Sequence, residues 1–171
     1  GANLNATSGV FEWVPDYNQS GTYYVEFIAN DGEYNDSEYI AITVSDVNRP
    51  PLFSIIADSE VDENTPLELT LMASDPDGNV LEFTKDVSFG TISDNKFSWI
   101  PSYNDSGNYT INFVVNDGNA EVVQTAKISV KNVNRPPILY YISDVIAGVN
   151  EQVTIQLAGF DPDGDDIVYL Y

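Results

Sequence analysis

Residues 105–115 read Asp-Ser-Gly-Asn-Tyr-Thr-Ile-Asn-Phe-Val-Val, a turn signal followed by alternating apolar residues. Apolar side chains occupy every second position from Tyr109 to Val115. Because successive side chains of a β-strand point to opposite faces, this period of two predicts a strand with one buried face. The Asp, Ser and Gly residues before it favour a turn. The segment therefore predicts a turn that leads into a half-buried strand.

Runs with the same period occur in the residues around this segment. They lie at 67–71, 80–84, 96–100 and 122–130, and Asp-Gly, Asn-Asp-Gly and Asp-Ser-Gly turn signals separate them. No segment has a convincing helical period. About seven short strands in a domain of about 86 residues are typical of a β-sandwich. The sequence therefore predicts an all-β fold built from sandwich domains.

The whole chain repeats itself at a constant offset of 86 residues. Self-similarity at one fixed period is the signature of tandem domains. The matching segments, in pairs, are 11–18 with 97–104, 20–23 with 106–109, 30–32 with 116–118, 47–51 with 133–137, and 75–78 with 161–164.

The Asn-Arg-Pro-Pro segments divide the chain into copies of the repeat. Two prolines fix φ and hold the preceding residue extended, so 48–51 and 134–137 are predicted to be short, stiff linkers. Residues 52–133 then form one complete domain, 1–47 the C-terminal half of a preceding domain, and 138–171 the N-terminal half of a following one. Two accounts of the halves stay open: a window from a longer array, or half-domains of different subunits that complete each other by strand complementation.

Composition restricts the partners of this chain. It has 171 residues, 27 acidic against 6 basic, and a formal net charge of -21. Such a field repels nucleic acid and anionic membranes and attracts cations, although acidic surfaces also serve solubility alone. There is no Cys and no His, which excludes disulfides, zinc–thiolate sites and histidine general bases. No apolar run reaches membrane-spanning length, so direct membrane insertion is not expected.

Residues 105–111 also have the spacing of a tyrosine corner, in which a Tyr hydroxyl bonds to nearby backbone in immunoglobulin-type sandwiches. Tyr23 keeps this position in the preceding copy. Together with 46–51, 61–67, 73–79 and 116–118, the chain resembles the tandem cadherin-like or immunoglobulin-like repeats of bacterial and archaeal surface proteins. The resemblance implies sandwich domains strung end to end on Pro-Pro linkers.

The same resemblance implies calcium at the domain junctions. Calcium takes six to eight oxygen ligands, several of them anionic. At the first junction the implied ligands are Asp46, Asn48, Asp75, Asp77, Asn79 and Asp117. At the second they are Asn132, Asn134, Asp161, Asp163 and Asp165, with Glu63 from the domain before. The alternative is that Asp-Pro-Asp-Gly is only a turn, and that Arg49 and Arg135 pair with the carboxylates in place of a metal ion.

Asn-X-Ser/Thr sequons indicate sites for N-glycosylation, which needs the motif on an accessible loop of a secreted chain. They occur at Asn5, Asn18, Asn35, Asn104 and Asn108. Asparagine-rich turns without sugar are the alternative.

No constellation of residues predicts catalysis. The paired carboxylates around Asp75 and Asp161 lie beside turn residues, where glycosidase carboxylates with a raised pKa are not expected. Phosphate loops and nucleophile elbows are lacking, and Trp13 and Trp99 are expected in the core. We therefore predict a non-enzymatic structural or adhesive segment of an extracellular cell-surface, surface-layer or filament protein, whose partners are neighbouring repeats, copies of itself or glycans. The alternative is a spacer or carbohydrate-binding module of a large secreted polysaccharide-degrading enzyme.

Overall fold

A computed structural model describes all residues from 1 to 171, and it contains fifteen β-strands and no helix. The all-β prediction is therefore confirmed, and the chain has no helix that could cross a membrane. In chain order the strands are β1 Asn3–Asn5, β2 Val10–Glu12, β3 Gly21–Asn30, β4 Asn35–Val44, β5 Leu52–Phe53, β6 Ser59–Asp62, β7 Leu67–Thr70, β8 Ala73–Ser74, β9 Glu82–Lys85, β10 Thr91–Ser93, β11 Lys96–Trp99, β12 Gly107–Asn116, β13 Glu121–Lys131, β14 Ile138–Leu139 and β15 Gly159–Phe160.

Two sheets organise the complete copy of the repeat. One has the strand order β6-β13-β12-β9 and the other the order β10-β11-β7, while β5 pairs with β8. Strand β6 runs parallel to β13, with Val61 opposite Val130. Strand β11 runs antiparallel to β7, with Phe97 opposite Leu69. The two sheets give the sandwich that the alternating pattern predicts.

Side chains at alternate positions of these strands form the core. Ile111, Phe113 and Val115 of β12 are 0% exposed, as the period of two requires. Trp99 is only 8% exposed, and its ring centroid lies 5.0 Å from that of Tyr109 in an edge-to-face arrangement. The prediction that Trp99 belongs to the core is confirmed. Its equivalent Trp13 is half-buried and packs edge-to-face on Tyr23, with ring centroids 4.8 Å apart.

Both predicted tyrosine corners form. The hydroxyl of Tyr109 donates a hydrogen bond to the carbonyl of Asp105 at 2.9 Å. The hydroxyl of Tyr23 donates to the carbonyl of Gln19 at 3.1 Å. Each bond ties the start of a long strand to the turn before it, which fixes where the strand begins.

The chain divides into two compact units. The first comprises Gly1–Leu52, Ser74–Leu81 and Asn116–Val122, and the second comprises Phe53–Ala73, Glu82–Val115 and Val123–Tyr171. The core described above lies in the second unit. The first unit holds the hairpin β3–β4, the segment around Arg49 and two turns that lie near it. The repeat boundaries at 48–51 and 134–137 stay predictions from the sequence.

Candidate functional site

Arg49, in the first Asn-Arg-Pro-Pro segment, is held by four hydrogen bonds. Its Nε and Nη2 donate to Asp77 Oδ1 at 2.8 and 2.6 Å, and its backbone N–H donates to Asp77 Oδ2 at 2.7 Å. Nη2 also donates to the carbonyl of Pro76 at 2.7 Å. The side chains of Arg49 and Asp77 are 26% and 11% exposed. Both oxygens of the Asp77 carboxylate are therefore taken up by one arginine.

The Asp-Pro-Asp-Gly turn presents Asp77 to this arginine. Asp75 Oδ1 accepts hydrogen bonds from the backbone N–H groups of Asp77 and Asn79, at 2.8 and 3.0 Å. Gly78 has φ of +79°, a value that costs glycine little and other residues more. These hydrogen bonds fix the backbone of the turn. The Asp77 carboxylate takes no part in them, so it is available to Arg49.

An aromatic ring covers the other side of the guanidinium. Cζ of Arg49 lies 5.1 Å from the ring centroid of Tyr17. A cation within about 6 Å of an aromatic face is attracted by the negative charge of that face. Arg49 therefore links a tyrosine from the copy before the linker to an aspartate from the copy after it.

The second Asn-Arg-Pro-Pro segment reproduces this arrangement. Nε and Nη2 of Arg135 lie 2.9 and 2.8 Å from Asp163 Oδ1, and its backbone N–H donates to Asp163 Oδ2. Nη2 donates to the carbonyl of Pro162 at 2.6 Å. Cζ lies 5.1 Å from the ring centroid of Tyr103. Tyrosine, arginine and aspartate are each shifted by the repeat length of 86, so we call each set a tyrosine–arginine–aspartate joint.

Charge strengthens both joints. Hydrogen bonds from Arg49 hold the pKa of Asp77 below its ordinary value of 3.8, and Arg135 has the same effect on the pKa of Asp163. The aspartates in turn raise the pKa of each arginine, mainly through the side-chain hydrogen bond. All four groups are therefore charged at neutral pH, and each pair forms a charge-assisted, forked contact.

A second contact accompanies the first joint. Asn48 Nδ2 donates to Asp117 Oδ2 at 2.9 Å, and Asp117 is only 5% exposed. Asp117 Oδ1 accepts from the backbone N–H groups of Asn119 and Ala120, at 2.7 and 2.6 Å. These hydrogen bonds lower the pKa of Asp117, and the bond from Asn48 has the largest effect. The linker is thereby tied to the turn after β12 as well as to the Asp-Pro-Asp-Gly turn.

Only some of the ligands implied for calcium come together. At the first linker, Asp77 is bonded to Arg49, and Asp117 is bonded to Asn48. Asp46, Asn132 and Asn134 are exposed. Asp161 Oδ1 accepts from the backbone N–H groups of Asp163 and Asp165, at 2.8 and 3.4 Å. No three carboxylates converge as a metal site requires.

Two buried carboxylate oxygens nonetheless have no hydrogen-bond partner, Asp75 Oδ2 and Glu63 Oε1. Glu63 is 2% exposed, and its Oε2 accepts from the N–H of Val133 at 2.9 Å, beside the second linker. Unpartnered buried carboxylate oxygens favour a nearby cation, and the charges of Asp75 and Glu63 contribute to the raised pKa of Arg49 and Arg135. Calcium stays a prediction from the sequence.

Tyr17 and Tyr103 are the residues of these joints that sequence reasoning missed. Both recur within the matching segments 11–18 and 97–104, so a signal was present. It could not be assigned because the same pattern fits a strand-end aromatic that packs in the core. The asparagines of all five sequons are exposed, and N-glycosylation stays a prediction.

The two sheets, the tyrosine corners and the 86-residue period define a class of protein, the tandem immunoglobulin-like β-sandwich. Residues 48–131 match a family model described as a bacterial Ig domain, and this part of the chain belongs to that family. Domains of this family are typical of secreted and surface proteins and are typically non-catalytic.

Several larger proteins are similar to this chain. Integrin beta-like protein A of Dictyostelium discoideum is 24% identical over 184 residues, which cover 90% of this chain and 10% of that protein. An endo-fucoidan hydrolase of glycoside hydrolase family 107 matches with 18% identity and a TM-score of 0.45, over 81% of this chain and 24% of its own. Extracellular domains 3–5 of Drosophila OTK match with 13% identity and a TM-score of 0.46, over 77% and 46%. The chain spans less than half of each of these proteins.

Proposed function

We propose that this chain is a structural repeat segment of an extracellular cell-surface, surface-layer or filament protein, in which each linker is fastened by a tyrosine–arginine–aspartate joint. The supporting observation is the recurrence of the joint: two linkers 86 residues apart carry the same four arginine contacts and the same ring at 5.1 Å. Because both linkers carry the same contact in the same geometry, we infer that the contact sets the spacing of the repeats.

The joint suits this purpose because two of its features resist bending of the linker. The forked pair fixes the direction of the guanidinium, and Pro50 or Pro136 after each arginine restricts the backbone that carries it. Arginine and lysine are not interchangeable here, because lysine has no planar fork and no second nitrogen that could also bond to the backbone. Each linker is thus fastened to the Asp-Pro-Asp-Gly turn that follows it through one residue, the arginine.

Small-angle scattering of the chain with Arg49→Ala and Arg135→Ala tests this proposal. We expect the double variant to scatter as a more flexible molecule, with a broader distribution of dimensions than the natural sequence gives. Lys127→Ala, which removes an exposed positive charge away from the linkers, is the control and leaves the scattering unchanged. Identical scattering from natural and doubly substituted chains would contradict the proposal.

N-glycosylation is part of the proposed extracellular role. Asn18 and Asn104 directly follow the two joint tyrosines and are exposed, so a glycan there would stand beside the joint. The intact mass of material from the native source, before and after enzymatic removal of N-glycans, tests whether any of the five asparagines is modified.

A carbohydrate-binding role is a second candidate because tyrosines stand on the outer face of the hairpin β3–β4. Tyr24 and Tyr39 are 80% and 70% exposed, and they lie on one face, diagonally across the strand pair. Aromatic faces of this kind can stack on sugar rings. Retention of the chain on immobilised polysaccharide, lost on Tyr24→Ala with Tyr39→Ala, would favour this candidate; no retention would exclude it for the polysaccharides used.

A further inference from the structure

Four aspartates of this chain are followed directly by glycine, and such pairs are prone to a spontaneous rearrangement to isoaspartate. The pairs lie at 31–32, 77–78, 117–118 and 163–164. Because glycine has no Cβ, its backbone nitrogen can approach the carboxyl group of the preceding aspartate more easily than that of any other residue. Whether a pair reacts then depends on how the fold holds the two groups.

The rearrangement joins the glycine nitrogen to the side chain before it. The nitrogen attacks Cγ of the protonated carboxyl group, so that a C–N bond forms and a C–O bond breaks. The amide hydrogen and the hydroxyl group leave together as water. Water then opens the five-membered imide, and opening at the backbone carbonyl gives isoaspartate, whose backbone is one methylene group longer. The rate therefore depends on a free nitrogen and a protonated carboxyl group.

The attacking nitrogen is engaged in all four pairs. The N–H groups of Gly32 and Gly118 donate to an asparagine side chain two residues earlier, at 2.8 and 2.5 Å. Those of Gly78 and Gly164 donate to a backbone carbonyl three residues earlier, at 3.3 and 3.1 Å. Attack on Cγ requires that this hydrogen bond breaks first.

The carboxylate of each pair is also engaged. Asp77 and Asp163 accept hydrogen bonds on both oxygens from the arginine of one linker. Asp117 accepts from Asn48 of the first linker, and Asp31 accepts from two backbone N–H groups of its own turn. These hydrogen bonds lower the pKa of all four carboxyl groups, so little of the reactive, protonated form is present.

We propose that Asp77 and Asp163 are latent sites of isoaspartate formation, which Arg49 and Arg135 protect as long as each linker is in place. The arginine occupies both carboxylate oxygens and keeps the group charged. When the arginine is lost, the carboxyl group can rotate toward the glycine nitrogen and take up a proton more readily. This protection follows from hydrogen bonds within the chain, and it does not depend on the proposed structural role.

The product cannot form the same joint again. In isoaspartate the free carboxylate is attached directly to Cα, and the backbone of the turn is one methylene group longer. Arg49 would therefore no longer meet two oxygens at the position of the Asp77 carboxylate. Isoaspartate at Asp77 or Asp163 thus marks a linker whose arginine contact has been lost and stays lost.

Arg49→Ala and Arg135→Ala, made separately in the whole chain, test the proposal. Each protein is incubated at pH 5, somewhat above the ordinary pKa of aspartate, and isoaspartate in its proteolytic peptides is located by chromatography with electron-transfer fragmentation. We expect Arg49→Ala to raise the rate of isoaspartate formation several-fold at Asp77 and not at Asp163. Arg135→Ala should do the reverse, and Lys127→Ala, away from both linkers, should change neither rate.

Asp31 separates loss of protection from loss of the fold. It lies in the same compact unit as Asp77 but is held by its own turn, so its rate should not change in Arg49→Ala. Arg49→Lys keeps a positive charge without the planar fork, and it should give Asp77 a rate between those of the natural chain and Arg49→Ala. An unchanged rate at Asp77 in Arg49→Ala, or equal increases at Asp31 and Asp77, overturns the proposal.

Discussion

At the residue scale, Gly90 packs against a core ring, and its replacement should be costly. It has φ of +65°, and a Cβ there would lie 2.6 Å from Cζ of Phe97. Gly90→Ala therefore combines backbone strain with overpacking, and we expect it to lower the free energy of unfolding by about 2–4 kcal/mol. Urea unfolding followed by tryptophan fluorescence measures this.

Gly118→Ala separates the two causes. Gly118 also has positive φ, at +95°, but open space around its Cβ position. We expect a loss of about 1 kcal/mol from backbone strain alone. Equal losses at the two glycines would show that contact with Phe97 contributes nothing.

The tyrosine corner and the core could be predicted from the sequence, whereas the stacking of Arg49 on Tyr17 could not. Alternation identifies Ile111 and Phe113 as buried because side-chain direction in a strand is fixed by position alone. The contact of Arg49 with Tyr17 depends on how a flexible side chain lies across a linker. Sequence spacing does not determine that, so the pairing of Arg49 with Asp77 was one of two open alternatives.

The joint aspartates make stability depend on pH. The pKa of Asp77 and of Asp163 is lower in the folded chain than the ordinary 3.8. The folded state therefore binds fewer protons, so this stabilisation is fully present above that value and is lost as pH falls through the folded pKa.

Asp77→Asn with Asp163→Asn tests this dependence. We expect the double variant to melt below the natural chain at pH 7, and the gap between them to close as the pH falls below 3.8 and through the lower folded pKa of the two carboxyls. Melting curves by circular dichroism between pH 2 and 7 measure the gap. A gap that is constant over this range would show that the two carboxylates do not contribute through their charge.

At the scale of elements, the bounds of the long strands follow the apolar alternation, whereas the bounds of the short strands depend on the strands with which they pair. The run at 80–84 predicts a strand that in fact spans Glu82–Lys85, and Val80 is 91% exposed. Pairing with β12, and not the local pattern, sets where β9 begins. Strand β10 was missed, because its turn into β11 at Asp94 and Asn95 carries a positive φ, +53°, on a residue other than glycine.

The tyrosine corner should stabilise the sandwich through its single hydrogen bond. Tyr109→Phe removes the donor to Asp105, and we expect a loss of about 1 kcal/mol in the free energy of unfolding. Tyr24→Phe changes an outward tyrosine that is 80% exposed, and it should have no measurable effect. Similar values for the two variants in denaturant unfolding would contradict a role for the corner.

At the scale of the whole molecule, the 86-residue period carried the prediction of tandem sandwiches, and the fold of residues 48–131 agrees with it. The structural role that we propose at this scale depends on the two linkers. The calcium ligands followed from a family resemblance that fixes residue types, whereas Arg49 and Arg135 change the charge at the place where a metal would bind.

Calorimetric titration with millimolar calcium tests whether an arginine or a calcium ion neutralises the carboxylates at each junction. Because the arginines already neutralise Asp77 and Asp163, we expect no heat beyond that of a magnesium control and no rise in melting temperature. The variant Arg49→Ala with Arg135→Ala frees both carboxylates, and it should take up more calcium than the natural chain. Strong binding by the natural chain would show that the resemblance, and not the arginine contact, describes the junctions.

Distance measurement between two spin labels tests the central claim, that one arginine fixes each linker. Glu33→Cys and Thr91→Cys place labels at exposed positions on either side of Arg49, and dilution with unlabelled chain removes contributions from association. We predict one narrow distance distribution for the natural linker, the same distribution with Lys127→Ala, and a broad one with Arg49→Ala. A distribution equally broad with and without Arg49 would contradict the account.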